Sequence, residues 1–305
     1  QDLVLVSREG IEQRLETESA RHRFPMISPN NQFVSVTTFG LQGNSDIWVF
    51  DFTNKTLGRR TFNGSSERSI WSYDGSELIY QCNDRDICIT AADGTSSSQT
   101  ILAGFGNPVP THHSEDGTLI LEQGNPTQVF TFNLNEISET SLINLNLSPE
   151  GTESGDAMIS PDGLWLAYSS DETGRNQIYV RPYPNMNSGK WQVSRNGGRY
   201  PRWNQVTNEI FWWDQESSSI MKTLFQVSQT NSSPSVMTFS NPETLFTTPY
   251  RFNPGTSPWD YSFKEDNAIF IKDSGEVNAI QSQIKIHIVD DFFAELQGLA
   301  PSNFE

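Results

Sequence analysis

An all-β fold, six four-stranded antiparallel blades set around an axis as a β-propeller, is predicted by three features of this 305-residue sequence. A serine-led turn motif recurs six times at nearly constant spacing. Each copy is followed by short runs in which apolar and polar residues alternate. The composition, with 21 Gly, 19 Phe, 8 Trp and 8 Tyr, suits tight turns and pleated strands rather than helices.

The motif is clearest as Ser-Pro-Asp-Gly at Ser160–Gly163. Comparable stretches begin at Ser28 (SPNNQFVSV), Ser72 (SYDGSELIY), Ser114 (SEDGTLILE), Asn204 (NQVTNEIFW) and Ser262 (SFKEDNAIFI). The intervals are 44, 42, 46, 44 and 58 residues, so only the last carries an insertion. A bulky residue precedes each start: Ile27, Trp71, His113, Ile159, Trp203 and Tyr261. An apolar strand follows the turn, then a polar loop, then an alternating strand such as DIWVFDF (46–52), QVFTFNL (128–134) or QIYVRPY (177–183). A short run, GRRTF or KWQVS, closes the unit. Four strands in about 40–45 residues is the spacing of a propeller blade. Asp-Gly at 74–75, 116–117 and 162–163 supplies what a tight turn needs, a side chain that bonds its own backbone and a residue tolerant of φ > 0. A catalytic group has no need of six copies, so the motif reads as architecture.

The ends must close the ring. LVLVSREGIEQRLE (3–16) reads as strand, turn and strand, and QIKIHIVDDF (283–292) as another strand run. The two ends are expected to share one blade, which removes exposed strand edges. DDFFAELQGLAP (290–301), with Asp at its start and Pro at its end, reads as a short capping helix. The whole chain, 1–305, is read as one propeller domain with blade registers near 28, 72, 114, 160, 204 and 262.

Acidic residues outnumber basic ones 37 to 20, for a net charge of −17, which disfavours nucleic acid and anionic lipid as partners. No apolar run approaches the ~20 residues of a membrane span, so direct insertion of this segment is not expected. The chain starts at Gln1 without Met or a signal-type segment and reads as a processed or excised piece of a longer protein. Cys82 and Cys88 flank NDRDI between two strand-like runs; a hairpin disulfide in an oxidising compartment and two buried unpaired thiols both suit that placement.

The repeated (W/I)-S-P-D-G-x-x-(I/L)-A-(F/Y) pattern resembles that of TolB-type propellers, relatives of the WD-repeat propellers, over nearly the whole chain. The likeness is tightest over 160–204, which resembles the propeller C-terminal to some bacterial membrane-anchored serine/threonine kinases and winged-helix regulators. The resemblance implies an extracytoplasmic or periplasmic recognition module, tethered through a membrane segment ahead of Gln1. Departures fall at Tyr73 and Glu115, where the turn loses its Pro, at Val206 and Thr207, and at Phe263 and Lys264. The family carries no agreed catalytic set, so the resemblance transfers no catalytic residue.

The residues themselves give little sign of chemistry. No G-x-S-x-G elbow occurs, GTSPW (255–259) lacking its second Gly, and no H-x-H or H-E-x-x-H spacing joins His22, His112, His113 and His287. No cofactor is expected, and no metal set is assigned. DETGRNQ (171–177) and NDRDI (83–87) read as solvated hairpin loops rather than calcium loops. Function is expected where inner strands border the central funnel. Four residues before each register lie Phe24, Arg68, Pro110, Asp156, Tyr200 and Pro258, and three before lie mostly small residues and Trp259. Phe24, Arg68, His112, Asp156, Tyr200 and Trp259 are therefore the candidate ligand-binding set. Such a mixed ring suits a protein or peptide partner or a small polar ligand. The alternatives are a propeller enzyme (lyase, lactonase or glycosidase) with a central polar or metal site around His112, and a structural spacer.

Overall fold

In a computed structural model, residues 1–136, 142–204, 207–230, 233–247, 250, 261–264 and 267–273 are described. They form six antiparallel sheets, and Gln1–Lys272 makes one compact unit. Asp273–Glu305 is a second unit; its predicted strand run and capping helix lie outside the described residues, as does Trp259.

The first strand of each blade is innermost: Arg21–Ile27, Ser66–Trp71, Val109–His113, Ser154–Ile159, Arg199–Asn204 and Tyr261–Lys264. Each packs against the first strand of the next blade, and Tyr261–Lys264 against Arg21–Ile27, which closes the ring. The closing blade combines both ends of the unit, with Tyr261–Lys264 and Asn267–Lys272 inside and Asp2–Ser7 and Glu12–Arg14 outside. The Arg8 guanidinium ties this blade to its neighbour through two 2.7 Å bonds to Glu209. Blade 5 departs from the pattern. Its third strand, Ser219–Thr230, pairs with Glu243–Thr247 within the blade and then runs on to pair with Ser233–Phe239.

Blades face each other, so both faces of a second strand are buried and its alternation is lost. Trp165–Ser170 and Glu209–Asp214 are buried along their whole length. The apolar core is divided among the blade interfaces: one cluster joins Val34, Val36 and Phe50 to Leu3 and Ile269, and another joins Trp165 and Val180 to Ile210 and Trp212. Six such clusters, one per interface, make every blade depend on both neighbours.

The serine motifs are the turns between first and second strands. Ser160 Oγ donates to Asp162 Oδ1 (2.5 Å) and accepts from Trp165 N (3.0 Å), while Gly163 adopts φ +73°. Ser72 and Asp74 repeat the arrangement at 2.7 and 2.9 Å. The bulky residue ahead of the serine links blades: Trp71 Nε1 donates to Met26 O (2.8 Å) and Trp203 Nε1 to Met158 O (3.1 Å). Cys82 and Cys88 form a disulfide across their hairpin, with Cα atoms 5.9 Å apart and both side chains in the interface between blades 1 and 2.

Candidate functional site

Five inner strands each carry one residue too many for their partners. The registers slip between Arg23 and Met26, Glu67 and Ile70, Pro110 and His112, Gly155 and Met158, and Arg199 and Arg202. Such a bulge re-aims side chains. In four of them a bulge residue takes the left-handed conformation: Phe24 (φ 56°), Arg68 (55°), Asp156 (59°) and Tyr200 (61°). Non-glycine residues rarely do so, at a cost of about 1–3 kcal/mol each. In blade 3 the position is Pro110, whose ring locks φ near −65° and forbids that conformation.

The second strands hold the bulges in place. Thr37, Gln81, Ser169 and Trp213 are paired with the last regular position before the slip in their blades, and in blade 3 Glu122 is paired with Val109, one position ahead of it. Thr37 Oγ1 accepts from Arg68 N of the next blade (3.1 Å), and Glu122 Oε1 accepts from Ala157 N of the next (3.1 Å). Asp156 Oδ2 does the same for Tyr200 N (3.3 Å). Buried N–H groups freed by a bulge need an acceptor, and here the preceding blade supplies it.

At this mouth lies a cavity of about 350 Å³ lined by Arg68, Asp156 and Tyr200 with Glu122, Ser154 and Arg199 among others. Asp156 is 1% exposed, and its Oδ2 also accepts from Ser169 Oγ (2.5 Å) and Arg199 Nε (3.3 Å). Its Oδ1 is buried with no hydrogen-bond partner. The Asp156 charge holds the Arg199 guanidinium firmly protonated. Burial, reinforced by that same charge, pushes Glu122 up to about 8, so its carboxyl carries a proton at neutral pH. Arg68 donates to Gln81 Oε1 and stands 5.3 Å above the Phe24 ring, and burial lowers its pKa. Tyr200 stacks on Trp213 at 5.9 Å and 5°.

The opposite mouth, where inner strands meet the serine turns, has a cavity of about 500 Å³ lined by Met26, Met158, His112, His113 and Arg202 among others. Burial pushes His112 down to about 3, with His113 and Arg202 adding, so its imidazole is neutral. His113 Nδ1 accepts from Tyr73 N (3.0 Å). Ser72, Ser114 and Ser160 also line this cavity, yet each hydroxyl is engaged by the Asp of its own turn.

The structure thus brings Arg68, Asp156 and Tyr200 to one cavity and places Phe24 beneath Arg68; His112 belongs to the other mouth. Sequence reasoning missed Glu122, Ser154, Ser169 and Arg199. The available signal for Glu122 was a carboxylate at the end of the apolar strand Leu119–Leu121, facing the register position of the bulge. Among the described residues, no group of three or more His, Cys, Asp or Glu is arranged to hold a metal ion. Nor is any helix there long and apolar enough to cross a membrane.

A ring of six four-stranded blades, closed by strands from both ends of the unit, is a six-bladed propeller of TolB-like fold. Solved structures agree. A TolB candidate from Agrobacterium tumefaciens matches with TM-score 0.58 and 11% identity over 80% of this chain and 88% of that one. TolB from Acinetobacter baumannii matches with TM-score 0.56 and 13% identity, over 73% of this chain and 59% of that one. An oligogalacturonate lyase from Vibrio parahaemolyticus shares the fold at TM-score 0.53 and 11% identity, over 85% and 89%. At such identities the likeness concerns the fold alone. No family model matches the chain, and no curated protein matches it in sequence.

Proposed function

We propose that this propeller is a non-catalytic recognition module that takes a small polar ligand or a peptide at the bulge-lined mouth, within a larger extracytoplasmic signalling or envelope protein. One observation carries the reading. Strained, left-handed residues of three blades deliver a guanidinium, a carboxylate and a phenol to one cavity, Arg68, Asp156 and Tyr200. Strain kept at the same place in several repeats is characteristic of ligand clamps. The turn-end mouth offers mainly apolar lining and a neutral His112, which gives a polar ligand less to hold.

A thermal-shift screen of amino acids, short peptides, sugars and organic acids tests it. Arg68→Ala and Tyr200→Ala are expected to remove a hit found with the unaltered protein. A hit that survives both changes places binding elsewhere.

A second reading rests on the same cavity. Glu122, its pKa raised by burial and by its neighbour Asp156, forms with it a carboxyl pair of the kind that acid–base catalysis uses. Against it, Asp156 Oδ2 is engaged by Ser169, Arg199 and Tyr200 N, and Glu122 by Ala157 N, as structural acceptors are. Turnover of a glycoside or lactone that Glu122→Gln abolishes would establish the enzyme.

A further inference from the structure

The turn-end mouth does not stop at the axis. Its cavity of about 500 Å³ shares Ser72, Tyr73, His113 and Glu115 with a second cavity, of about 420 Å³, between blades 2 and 3. Ile89 and Ile101, from the outer strands of blade 2, and Leu134 of blade 3 line this second part. Met26, Ile70, Trp71, Met158 and Tyr183 line the axial part, so apolar side chains border the groove along its length.

Two of the residues shared by both parts are the two that break the turn motif. At the second place of the turn, blades 1 and 4 carry Pro29 and Pro161, whereas blades 2 and 3 carry Tyr73 and Glu115. Proline suits that place through its fixed φ. The turns do not need the replacements, because both keep the Ser–Asp hydrogen bond and a glycine of positive φ, Gly75 or Gly117. Yet Tyr73 leaves its ring 46% exposed, and Glu115 is exposed beside the groove.

The charges point the same way. Asp74 and Glu77, both exposed, line the second part together with Glu115. No ion pair among the described residues holds any of these three carboxylates. Burial, and after it the Asp74 charge, raises the pKa of Glu77. Burial lowers the pKa of His113, so it adds no positive charge at neutral pH. Arg202 is the one cation among the described residues lining either part; it is 3% exposed and lies in the axial part.

We propose that this groove docks a segment of a partner protein in which an aliphatic or aromatic side chain lies beside Lys or Arg. The apolar side chain enters the axial cavity past Tyr73, and the cation meets Asp74, Glu77 and Glu115. An apolar anchor in a pocket with a charged rim is how compact interfaces combine affinity with selectivity. The net charge of −17 also draws a basic partner from a distance and repels an acidic one. This site is separate from the bulge-lined mouth, and neither requires the other.

Selection of phage-displayed random dodecapeptides on the immobilised full chain tests the proposal. Enriched sequences are expected to combine Phe, Trp, Leu or Met with Lys or Arg. One of them, synthesised with blocked ends, should bind one peptide per chain in calorimetric titration. Glu115→Lys should weaken it by roughly tenfold or more and added salt severalfold, as an electrostatic contact requires. Tyr73→Ala should weaken it severalfold. Both side chains are exposed and outside the Ser–Asp contacts of their turns, so unfolding midpoints should not change. Arg68→Ala, at the opposite mouth, should leave the affinity as it was.

Enrichment of acidic or uncharged peptides, no enrichment over an unrelated acidic protein, or an affinity that Tyr73→Ala and Glu115→Lys leave unchanged would overturn the proposal. A peptide lost on Arg68→Ala but kept by both turn variants would overturn it as well, and would support the bulge-lined mouth as the peptide site.

Discussion

Asp156 lies in the bulge of the inner strand of blade 4, and Asp162 lies in the turn that follows the same strand. Both accept hydrogen bonds from a serine hydroxyl and a backbone N–H. Asp156 receives them from Ser169 and Tyr200, Asp162 from Ser160 and Leu164. They differ in access to water, since Asp156 is 1% exposed and Asp162 is an exposed residue. The difference extends to the two mouths. At the bulge end, acceptors on one blade satisfy donors on the next, so the chemistry is shared between blades. At the turn end the Ser and Asp of each Ser-x-Asp-Gly unit satisfy each other, and among these turns Tyr73 N reaches across to His113 of the next blade.

Breaking the buried member should have the largest effect. Asp156→Ala removes the acceptor for Ser169 and Tyr200 N and leaves the Arg199 guanidinium without its partner. Removing one member of a buried ion pair typically costs about 3–5 kcal/mol, which denaturant unfolding will read as a lowered midpoint. Asp156→Asn keeps an acceptor oxygen and should lose less. A loss within about 0.5 kcal/mol for Asp156→Ala would show that the bulge holds itself, since surface-like sites behave that way.

Glu122 sharpens the comparison through pH. Its folded pKa, about 8, lies above the ordinary carboxyl value near 4.5, so the folded state holds a proton that the unfolded chain has released. Stability from this group is fully present below the unfolded value. It declines as pH rises from there towards about 8, by at most ~1.4 kcal/mol per pH unit. Glu122→Gln should flatten that decline in urea midpoints measured from pH 5 to 8. The exposed turn-end Asp74 titrates in the opposite sense, because hydrogen bonds from Ser72 and Ser76 lower its pKa.

The disulfide should contribute less. Cys82 and Cys88 are six residues apart, and closing so short a loop stabilises by about 2 kcal/mol on chain-entropy grounds. The Cys82→Ala/Cys88→Ala double variant should unfold at lower denaturant by that amount. Its hairpin lies on blade 2, beside Gln81, so loosening it should also disturb Arg68, which hydrogen-bonds Gln81.

The ring was legible because its signal is repeated: six turns at near-constant spacing outweigh the loss of Pro at Tyr73 or of Asp-Gly at Val206–Thr207. Counting back from those turns reached Arg68, Asp156 and Tyr200 for the same reason. Glu122 and Arg199 were hidden because their importance comes from opposing strands and successive blades, which no linear spacing encodes. His112 lines the turn-end cavity rather than the one shared by Arg68, Asp156 and Tyr200. It stands two residues further along its inner strand than Pro110, at the same place as Met26, Met158 and Arg202, which line that cavity too. The closing blade was foreseen in its strands as well: the register at 262 and the strand, turn and strand at 3–16 supply it, while the run at 283–292 lies outside the described residues.

The smallest effect is expected at Asp162, and it is the sharpest control. Asp162→Ala removes the acceptor for Ser160 Oγ and Leu164 N, but water reaches both donors once the carboxylate is gone. A net loss of about 1 kcal/mol is expected, the usual worth of a solvent-replaceable hydrogen bond. Asp162→Asn should be close to neutral, because its amide oxygen accepts in the same place and Gly163 still provides the positive φ. If Asp162→Ala instead lowered stability as much as Asp156→Ala, the turn would be part of the inter-blade framework. The contrast between a shared mouth and a self-contained one would then have to be abandoned.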